Sequence, residues 1–278
     1  MLVGIYLRRL REARGISRAD AGYKIRSSES KMSRLERGRV GFKDRDVDDL
    51  LTLYGVTEEA DRAPILALVR EGNQPGWWHR SADVLPDWFE LYLGLEMAAT
   101  LIRTYEVQFI PGLLQTEDYA RALITQNSTG SAVSAQDIDR WVGVRMQRQE
   151  ILTRPEDPAR LWAVLDEALL RRRIGTPAVM HAQVEHLIAL SRRPNLVIQV
   201  MPWVFGGHVA ENGAFSILRF GEPDLSDVVY LEYLTDAVYV DKPSDVDPYT
   251  EIMNRLNVDS MLPDESTDFL TTILAGMK

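Results

Sequence analysis

The sequence predicts a small all-α domain followed by a larger α+β domain, and three observations support this division. Over residues 1–71, apolar residues recur at helical spacing between glycines and capping residues. A break rich in glycine, asparagine and proline follows at 72–76. Beyond the break, helical segments mix with short segments of alternating polarity that are typical of strands. We therefore expect domains at residues 1–71 and 87–278, joined by a linker at 72–86 that carries a tryptophan pair.

Five helices are predicted in the first domain. Each begins at a polar capping residue, ends at a glycine, or shows apolar residues three or four positions apart, which are the local signals of a helix. The predicted helices cover residues 4–14, 17–25, 28–37, 46–54 and 57–71.

The second domain is expected to place helices around a mixed or antiparallel sheet of roughly four to six strands. Its predicted helices cover residues 87–102, 115–126, 134–153, 176–191, 246–257 and 264–275. Its predicted strands cover residues 104–109, 161–165, 196–201, 215–220, 228–233 and 237–240.

Charge is distributed unevenly along the chain, whose net charge is −9. Residues 1–45 carry 13 lysines and arginines against five acidic residues, whereas residues 46–278 carry 19 basic and 36 acidic residues. A basic first segment attracts phosphate groups while an acidic remainder is repelled by them, so this asymmetry favours a nucleic-acid partner. The alternative is a charged surface that is simply solvated.

Several classes of protein are disfavoured by composition. The chain has no cysteine, which excludes disulfides, cysteine-ligated zinc, iron–sulfur clusters and a cysteine nucleophile. The apolar start of the sequence is broken by arginines too early for a signal peptide. No apolar stretch approaches the ~20 residues that a membrane helix needs. We expect a cytoplasmic protein with no membrane contact.

The predicted third helix has two distinct faces. Ser28, Met32 and Leu35 share one side and are expected to form an inner stripe. The opposite side carries only hydroxyls and cations, with Lys31 at its flank. Such a face suits the major groove of DNA, because hydroxyls bond bases or phosphates and arginine can pair with guanine. A polar helix face without a ligand is the alternative.

The expected partner is therefore double-stranded DNA. The third helix would contact bases, while the segment after it and the start of the second helix would contact backbone phosphates. The residues predicted to bind DNA are Ser17, Arg18, Ser28, Ser30, Lys31, Ser33, Arg34, Arg37, Arg39 and Lys43.

Three segments of the first domain, at residues 7–17, 33–38 and 50–56, resemble the XRE (Cro/phage-repressor) class of helix-turn-helix proteins. The resemblance covers about residues 1–70. It implies a helix-turn-helix DNA-binding domain in which Arg11 and Glu36 form a structural ion pair.

The sequence departs from that class at two places. Ala21 and Gly22 stand where the second helix usually has a Leu-Ala pair, and Arg26 stands where a glycine commonly makes the turn. These departures bear on the geometry of the turn between the second and third helices.

Blocks of the second domain are similar to the C-terminal domain of actinobacterial regulators of the WhiJ type. The resemblance implies a repressor-like regulator of development or of toxin–antitoxin character, commonly encoded beside a small acidic partner protein that modulates DNA binding. The similar blocks lie at residues 77–79, 105–106, 110–121, 161–169 and 228–232.

No metal, nucleotide or nucleophile signature is found, so we expect no cofactor, no metal site and no catalytic residue. His181 and His186 are five positions apart and do not share a helix face as a zinc pair would. A sensor or enzyme domain would instead bring its candidate groups into one cleft. Those candidates are Glu106, Asp166, Glu167 and His208.

Three functional hypotheses follow. The first is a DNA-binding regulator that acts as a homodimer, because one short recognition helix gives limited specificity and two half-sites multiply it. In it, the second domain supplies dimer contacts and a surface for a partner protein or ligand. The second is a ligand-sensing or enzymatic C-terminal domain tethered by the first. The third is an antitoxin-like interaction protein whose DNA binding is autoregulatory.

Overall fold

The computed structural model describes residues 2–74, 76–128, 133–207, 209–210, 213–222 and 225–277. The chain forms two compact units. The first comprises Met1–Arg80, Glu90–Leu95 and Glu222–Leu225, and the second comprises Ser81–Phe89, Glu96–Gly221 and Ser226–Lys278.

The described part of the first unit contains the five helices that the sequence predicts, so its all-α class is confirmed. Their apolar faces enclose one core, to which every helix contributes, with Leu7, Met32 and Leu50 fully buried. The helices are α1 (Leu2–Ala13), α2 (Arg18–Lys24), α3 (Glu29–Glu36), α4 (Asp44–Leu53) and α5 (Glu59–Gly72).

Serine hydroxyls begin the second and third helices. The Oγ atom of Ser17 accepts a hydrogen bond from the backbone N–H of Asp20 at 3.1 Å. Ser28 does the same for the N–H of Lys31 at 3.1 Å. Each bond satisfies a backbone donor that the first turn of a helix leaves without a partner.

The turn between α2 and α3 is made by a residue that seldom adopts the required conformation. Arg26 has a φ of 55°, in the left-handed region that glycine enters freely and other residues enter at a cost of roughly 1–2 kcal/mol. The turn is thus closed with arginine in the position where a glycine is usual.

Close packing of α2 against α3 depends on Gly22. A Cβ atom at this position would lie 2.9 Å from the carbonyl oxygen of Ser27, which belongs to the backbone and cannot rotate away. The missing methyl group therefore lets the start of the α3 segment approach α2 directly.

The second unit is α+β, as predicted, with a six-stranded mixed sheet among its described residues. Its strands are β1 (Ala99–Glu106), β2 (Arg160–Asp166), β3 (Leu196–Met201), β4 (Phe215–Phe220), β5 (Val228–Glu232) and β6 (Ala237–Val240). The further helices of the chain are α6 (Asp87–Ala98), α7 (Glu117–Asn127), α8 (Ala135–Arg148), α9 (Glu167–Arg171), α10 (Pro177–Leu190), α11 (Pro243–Asp259) and α12 (Pro263–Gly276). None of the helices in the described ranges is both long and apolar enough to cross a membrane.

The strand order of the sheet is β3-β2-β1-β4-β5-β6. Strands β1, β2 and β3 run parallel, and the chain between them passes through helices, as parallel connections require. Strand β4 is antiparallel to β1, and β5 is antiparallel to β4, so β5 runs in the same direction as β1. The last residues of β1, β2, β3 and β5 therefore meet at one border of the sheet, which we call the carboxyl edge.

One prediction for this unit is wrong in its boundary. A helix was expected over 87–102, but α6 ends at Ala98 and β1 begins at Ala99. Thr100, Ile102 and Thr104 are β-branched and favour extended backbone. Pairing of this segment with β2 and β4 on its two sides outweighs the helical spacing of its apolar residues.

The two faces of the sheet differ in chemistry. On one face, Tyr105, Val164 and Phe215 pack with apolar residues of α11 in a buried cluster. Because side chains alternate along a strand, Thr104 and Glu106 project from the opposite face. That second face is polar near the carboxyl edge.

The role of Gly22 can be tested by Gly22→Ala. We expect the added methyl group to force α2 and α3 apart and to lower the free energy of unfolding of the first unit by about 1–3 kcal/mol. Denaturant titration, with hydrogen exchange of the α2 and α3 amides, measures this effect. Gly143→Ala is the matched control, since Gly143 lies inside α8 with open space around it. The control should be neutral or stabilising by up to about 1 kcal/mol; equal effects of the two changes would contradict the interpretation.

Candidate functional site

The outer face of α3 presents the residues that sequence analysis assigned to base contacts. Met32 and Leu35 are buried against the first unit, at 0% and 1% exposure. Ser30 and Arg34 are exposed, and Lys31 and Ser33 are partly exposed. The helix therefore combines an apolar inner side with an accessible outer side of hydroxyls and cations.

Arg37 is exposed but folds back on its own helix. Its Nη2 atom donates to Ser33 Oγ at 2.9 Å, and its Nε atom donates to the Ser33 carbonyl oxygen at 3.1 Å. A contact of Arg37 with a base or phosphate would have to replace or share these bonds. Arg34 carries the more accessible charge, one turn earlier.

Ser28 does not lie in the inner stripe, where the sequence analysis placed it. It is exposed and acts as the N-cap of α3. The extended backbone of a capping residue takes its side chain out of the helical periodicity, so extrapolating the stripe to this position was wrong. Ser17 is likewise an exposed N-cap, and its hydroxyl also donates to Asp20 Oδ2 at 2.6 Å.

A buried carboxylate joins three helices beneath this surface. Glu36, at the end of α3, is 1% exposed. Its Oε1 accepts from Arg11 Nε at 2.5 Å, and its Oε2 accepts from Arg11 Nη2 at 3.1 Å and from Arg18 Nε at 3.0 Å. Arg11 is also buried and donates to the Ile16 carbonyl at 2.8 Å. Arg11 and Glu36, the pair that the family resemblance implies, are thus in direct contact.

The electrostatics of this group favour a permanent ion pair. Burial opposes the charge of Arg11, but hydrogen bonding and Coulomb attraction to Glu36 raise its pKa. Arg18, assigned by sequence analysis to a phosphate, keeps 42% of its side chain exposed while it contacts Glu36. It therefore stands at the border between the buried ion pair and the surface.

The remaining predicted contacts follow α3. Arg39 and Lys43 are both exposed, on the segment that leads to α4. With Arg34 and Arg37 they give this surface four accessible cations in ten residues. This concentration of positive charge beside α3 favours contact with the phosphates of DNA.

Sequence analysis missed one aromatic residue on this unit. Tyr23 in α2 is 87% exposed and lines a shallow recess of about 670 Å³ beside the α2–α3 turn. The other lining residues are Asp20, Lys24, Arg26, Ser27, Ser28 and Leu53. Only the helix boundaries could have shown that Tyr23 faces away from the core.

The acidic candidates of the second unit do not share a cleft. Glu106 ends β1 and Asp166 ends the adjacent β2, but their side chains project from opposite faces of the sheet. Asp166 accepts from the Ala168 N–H at 2.7 Å and hydrogen-bonds Tyr105. Glu167 is buried between Arg171 and the Trp203 N–H. His208 lies outside the described residues.

A different group of polar side chains gathers on the face that carries Glu106. We call it the polar cluster and define it as Glu106, Glu232, Arg145 and Tyr119. Glu106 and Glu232 come from the carboxyl edge, at the ends of β1 and β5, Arg145 comes from α8 and Tyr119 from α7.

Each member of the polar cluster has only modest direct contacts. Glu106 Oε1 lies 3.4 Å from the Thr104 hydroxyl. Arg145 Nη1 donates to the side-chain oxygen of Gln115 at 3.1 Å. The Tyr119 hydroxyl accepts from the Ile110 N–H at 3.3 Å. Glu232 accepts from the Tyr230 hydroxyl at 2.8 Å.

Burial perturbs the titration of this cluster. The pKa of Glu106 is raised to about 8, mainly by burial and then by the neighbouring charge of Glu232. Its hydrogen bond with Thr104 and the charge of Arg148 lower the pKa by less. Burial, together with the nearby Arg148, lowers the pKa of Arg145 to about 10. Burial also raises the pKa of Tyr119. Shifted groups of this kind are typical of sites that meet a ligand or of internal polar networks.

Arg148 lies near the polar cluster but forms an ion pair with Glu96. Its Nε and Nη2 atoms donate to the two carboxylate oxygens of Glu96, both at 2.8 Å, and both side chains are buried. The guanidinium also lies 5.1 Å from the centre of the Phe89 ring. This two-bond pair fixes α8 and leaves Arg148 neutralised.

No set of three or more histidine or acidic side chains could hold a metal ion in the part of the chain that the structure describes. His181 pairs with Glu185 at 3.4 Å when it is protonated, and the two share one helix. Burial lowers the pKa of His186, with Arg193 nearby.

Comparison with known proteins gives two family matches. A family model described as a helix-turn-helix domain matches residues 2–64. A second, described as a domain of unknown function (DUF5753), matches residues 89–272. No curated protein and no solved structure matched the chain. The chain therefore carries a helix-turn-helix domain within residues 2–64, the region that contains α1 to α4 and the first part of α5.

The buried ion pair predicts unequal roles for the two arginines that contact Glu36. Arg11→Met should lower the free energy of unfolding by about 3–5 kcal/mol, because it leaves a buried carboxylate without its main partner. Arg18→Met, the matched control on the same carboxylate, should cost only about 0–1 kcal/mol, because 42% of the Arg18 side chain is exposed to solvent and Glu36 keeps both bonds from Arg11. Urea denaturation compares the two. Similar losses would show that burial of Arg11 does not set the strength of the pair.

The raised pKa of Glu106 predicts a pH-dependent penalty. The folded chain keeps a proton that the unfolded chain loses above the ordinary value of 4.5, so stability falls as pH rises from about 4.5 to 8. Glu106→Gln cannot ionise and should exceed the parent protein in stability at pH 8.5 by on the order of 2 kcal/mol, with little difference near pH 4.5. Urea denaturation at the two pH values measures this. Glu251→Gln, at an exposed position of α11, is the control; a difference for Glu106→Gln that does not change with pH would refute the assignment.

Proposed function

Since the chain belongs to the DUF5753 family and carries a helix-turn-helix domain, we propose that it is a sequence-specific DNA-binding regulator of the XRE class. The observation that carries the proposal is the outer face of α3. Its accessible hydroxyls and cations stand on a helix whose other side is fixed in the core. A recognition helix needs this combination of a fixed inner side and a free outer side.

Arg34 is the proposed base contact, because its side chain is exposed and forms no hydrogen bond or ion pair with another described residue that DNA would have to replace. Guanine presents two acceptors in the major groove that match a guanidinium. Ser30 and Ser33 lie on the same outer face and supply short hydroxyl contacts to bases or phosphates.

Phosphate contacts are proposed for the residues around this helix. Arg39 and Lys43 follow α3 and are exposed, and Arg18 begins α2, whose N-terminus also favours an anion. Arg18 keeps its bond to Glu36 in this arrangement, so the phosphate would share its guanidinium. The acidic remainder of the chain is repelled by the duplex, which helps to orient the bound protein.

The finer features of the proposal rest on the resemblance to WhiJ-type regulators. They are repression, control by a small acidic partner protein at the second unit, and an actinobacterial setting. A homodimer is proposed because α3 is only eight residues long and one such helix reads few base pairs. Two half-sites about one helical turn apart would supply the missing specificity.

The test is binding of the purified protein to the DNA upstream of its own gene, against an unrelated duplex of equal length, across a salt series. We expect selective binding and a steep fall of affinity with salt, since each phosphate contact contributes roughly 0.9 to the slope of log K against log salt. Binding that shows no sequence preference at any salt concentration would contradict the proposal.

Arg34→Ala should lower the affinity for the specific duplex by roughly ten-fold or more. The affinity for the unrelated duplex should fall less, so the ratio of the two affinities should decrease. Fluorescence anisotropy with both duplexes measures the two affinities. Arg255→Ala removes one positive charge from an exposed site on α11 and should leave both unchanged. An equal loss on both duplexes would make Arg34 a phosphate contact.

A further inference from the structure

We propose that the carboxyl edge of the sheet is the surface through which two copies of the chain form a dimer. At this surface a basic, apolar corner of each copy would contact an acidic, apolar corner of the other. The inference rests on the homodimer of the proposed function and names the surface that would form it.

Exposed apolar side chains of the second unit concentrate at the carboxyl edge. Val204, in the segment after β3, is 92% exposed, and Leu234, in the turn after β5, is 97% exposed. Other exposed large apolar residues in or beside these two segments are Trp203, Phe205, Val209, Tyr233 and Val238. Among the described residues of this unit, only Val258 and Leu262 are comparable and lie elsewhere. Apolar surface gathered in this way is typical of a protein–protein contact.

The segment after β3 forms one corner of the edge together with the end of α9. Buried Glu167 holds the two parts, because its Oε2 accepts from the Trp203 N–H at 3.0 Å and its Oε1 accepts from Arg171 Nε at 2.6 Å. The Arg171 guanidinium lies 5.1 Å from the centre of the Trp203 ring. Arg172 and Arg173 are exposed, and their side chains form no hydrogen bond or ion pair with another described residue. We call residues 171–173 and 203–205 the basic corner.

The turn between β5 and β6 forms the opposite corner, which we call the acidic corner and define as residues 232–236. The carbonyl oxygen of Asp236 accepts from the N–H of Tyr233 at 2.9 Å, which closes the turn. Glu232 and Asp236 are both exposed. In the described part of the chain their carboxylates accept from a tyrosine hydroxyl and a backbone N–H, and neither forms an ion pair with a cation.

The strand order relates the two corners by symmetry. Strands β3 and β5 run in the same direction and are separated by four strand spacings, so the corners lie about 19 Å apart along the edge, at ~4.8 Å per spacing. A two-fold axis perpendicular to the sheet, midway between the corners, reverses both the direction of the strands and their order along the edge. The basic corner of each copy then faces the acidic corner of the other.

The charges favour a second copy over other partners. Arg172 and Arg173 bring two positive charges, and Glu232 and Asp236 bring two negative charges, so each corner meets its opposite in the other copy. A lipid surface or a nucleic acid would attract the basic corner and repel the acidic one. An unrelated acidic protein would likewise complement only the basic corner.

The experiment measures the mass of the full chain, without DNA, by sedimentation equilibrium over a micromolar concentration series. We expect a monomer–dimer equilibrium. Val204→Ser should weaken the dimer by about ten-fold or more, because the symmetric contact loses the same apolar side chain twice. Val258→Ser changes an exposed apolar residue outside both corners and should dimerise as the parent protein does.

Charge reversal gives a sharper test. Arg172→Glu with Arg173→Glu makes both corners acidic, and Glu232→Lys with Asp236→Lys makes both corners basic. Each of these double variants alone should dimerise about ten-fold or more weakly than the parent protein, because like charges meet at both ends of the contact. An equimolar mixture of the two double variants should form a heterodimer, because opposite charges again meet.

The matched control for charge is Arg192→Glu with Arg193→Glu. These exposed arginines precede β3 at the opposite border of the sheet, so the same change of net charge should leave the dimer unaffected. Circular dichroism of each variant establishes that it is folded.

Three results would overturn the inference. A dimer that persists in every corner variant would do so while leaving the homodimer itself standing. Failure of the two double variants to associate when mixed would show that the corners do not face each other. A parent chain that stays monomeric would contradict both the surface and the homodimer, whereas the salt series tests DNA binding separately.

Discussion

The first unit depends on one buried carboxylate. Glu36 closes α3, where the negative end of the helix dipole makes an acidic residue unfavourable. Arg11 from α1 and Arg18 from α2 offset the charge of the carboxylate and the negative end of the helix dipole. Through these bonds three helices contact one side chain. Because two of its three bonds come from the buried Arg11, the position of α3 is fixed from below, and the outer face remains free for a partner.

Local signals of the sequence account for most of this unit. The serines that cap α2 and α3 and the glycines between helices can be recognised from the residue type alone. The Arg11–Glu36 contact follows from the family resemblance. Local signals place Ser28 on the wrong face of α3. A capping residue has extended backbone, so the helical periodicity does not predict the direction of its side chain. The same logic failed at Ala99, where two neighbouring strands impose extended backbone on a segment whose apolar spacing is helical.

The chemistry of the second unit could not be predicted in this way. Glu106 and Asp166 end neighbouring strands, but only the register of β1 against β2 shows that they face opposite sides of the sheet. The polar cluster joins residues 119, 145 and 232 to residue 106 across more than 100 positions of sequence. Its members are ordinary in composition, and only the fold brings them close enough to perturb one another's pKa values.

The left-handed backbone of Arg26 has an evolutionary consequence. A change to glycine at this position would relieve the conformation and remove a positive charge beside the recess that Tyr23 lines. Selection for stability alone would favour that change. A descendant stabilised at this turn would therefore carry one positive charge fewer on the surface beside α2 and α3.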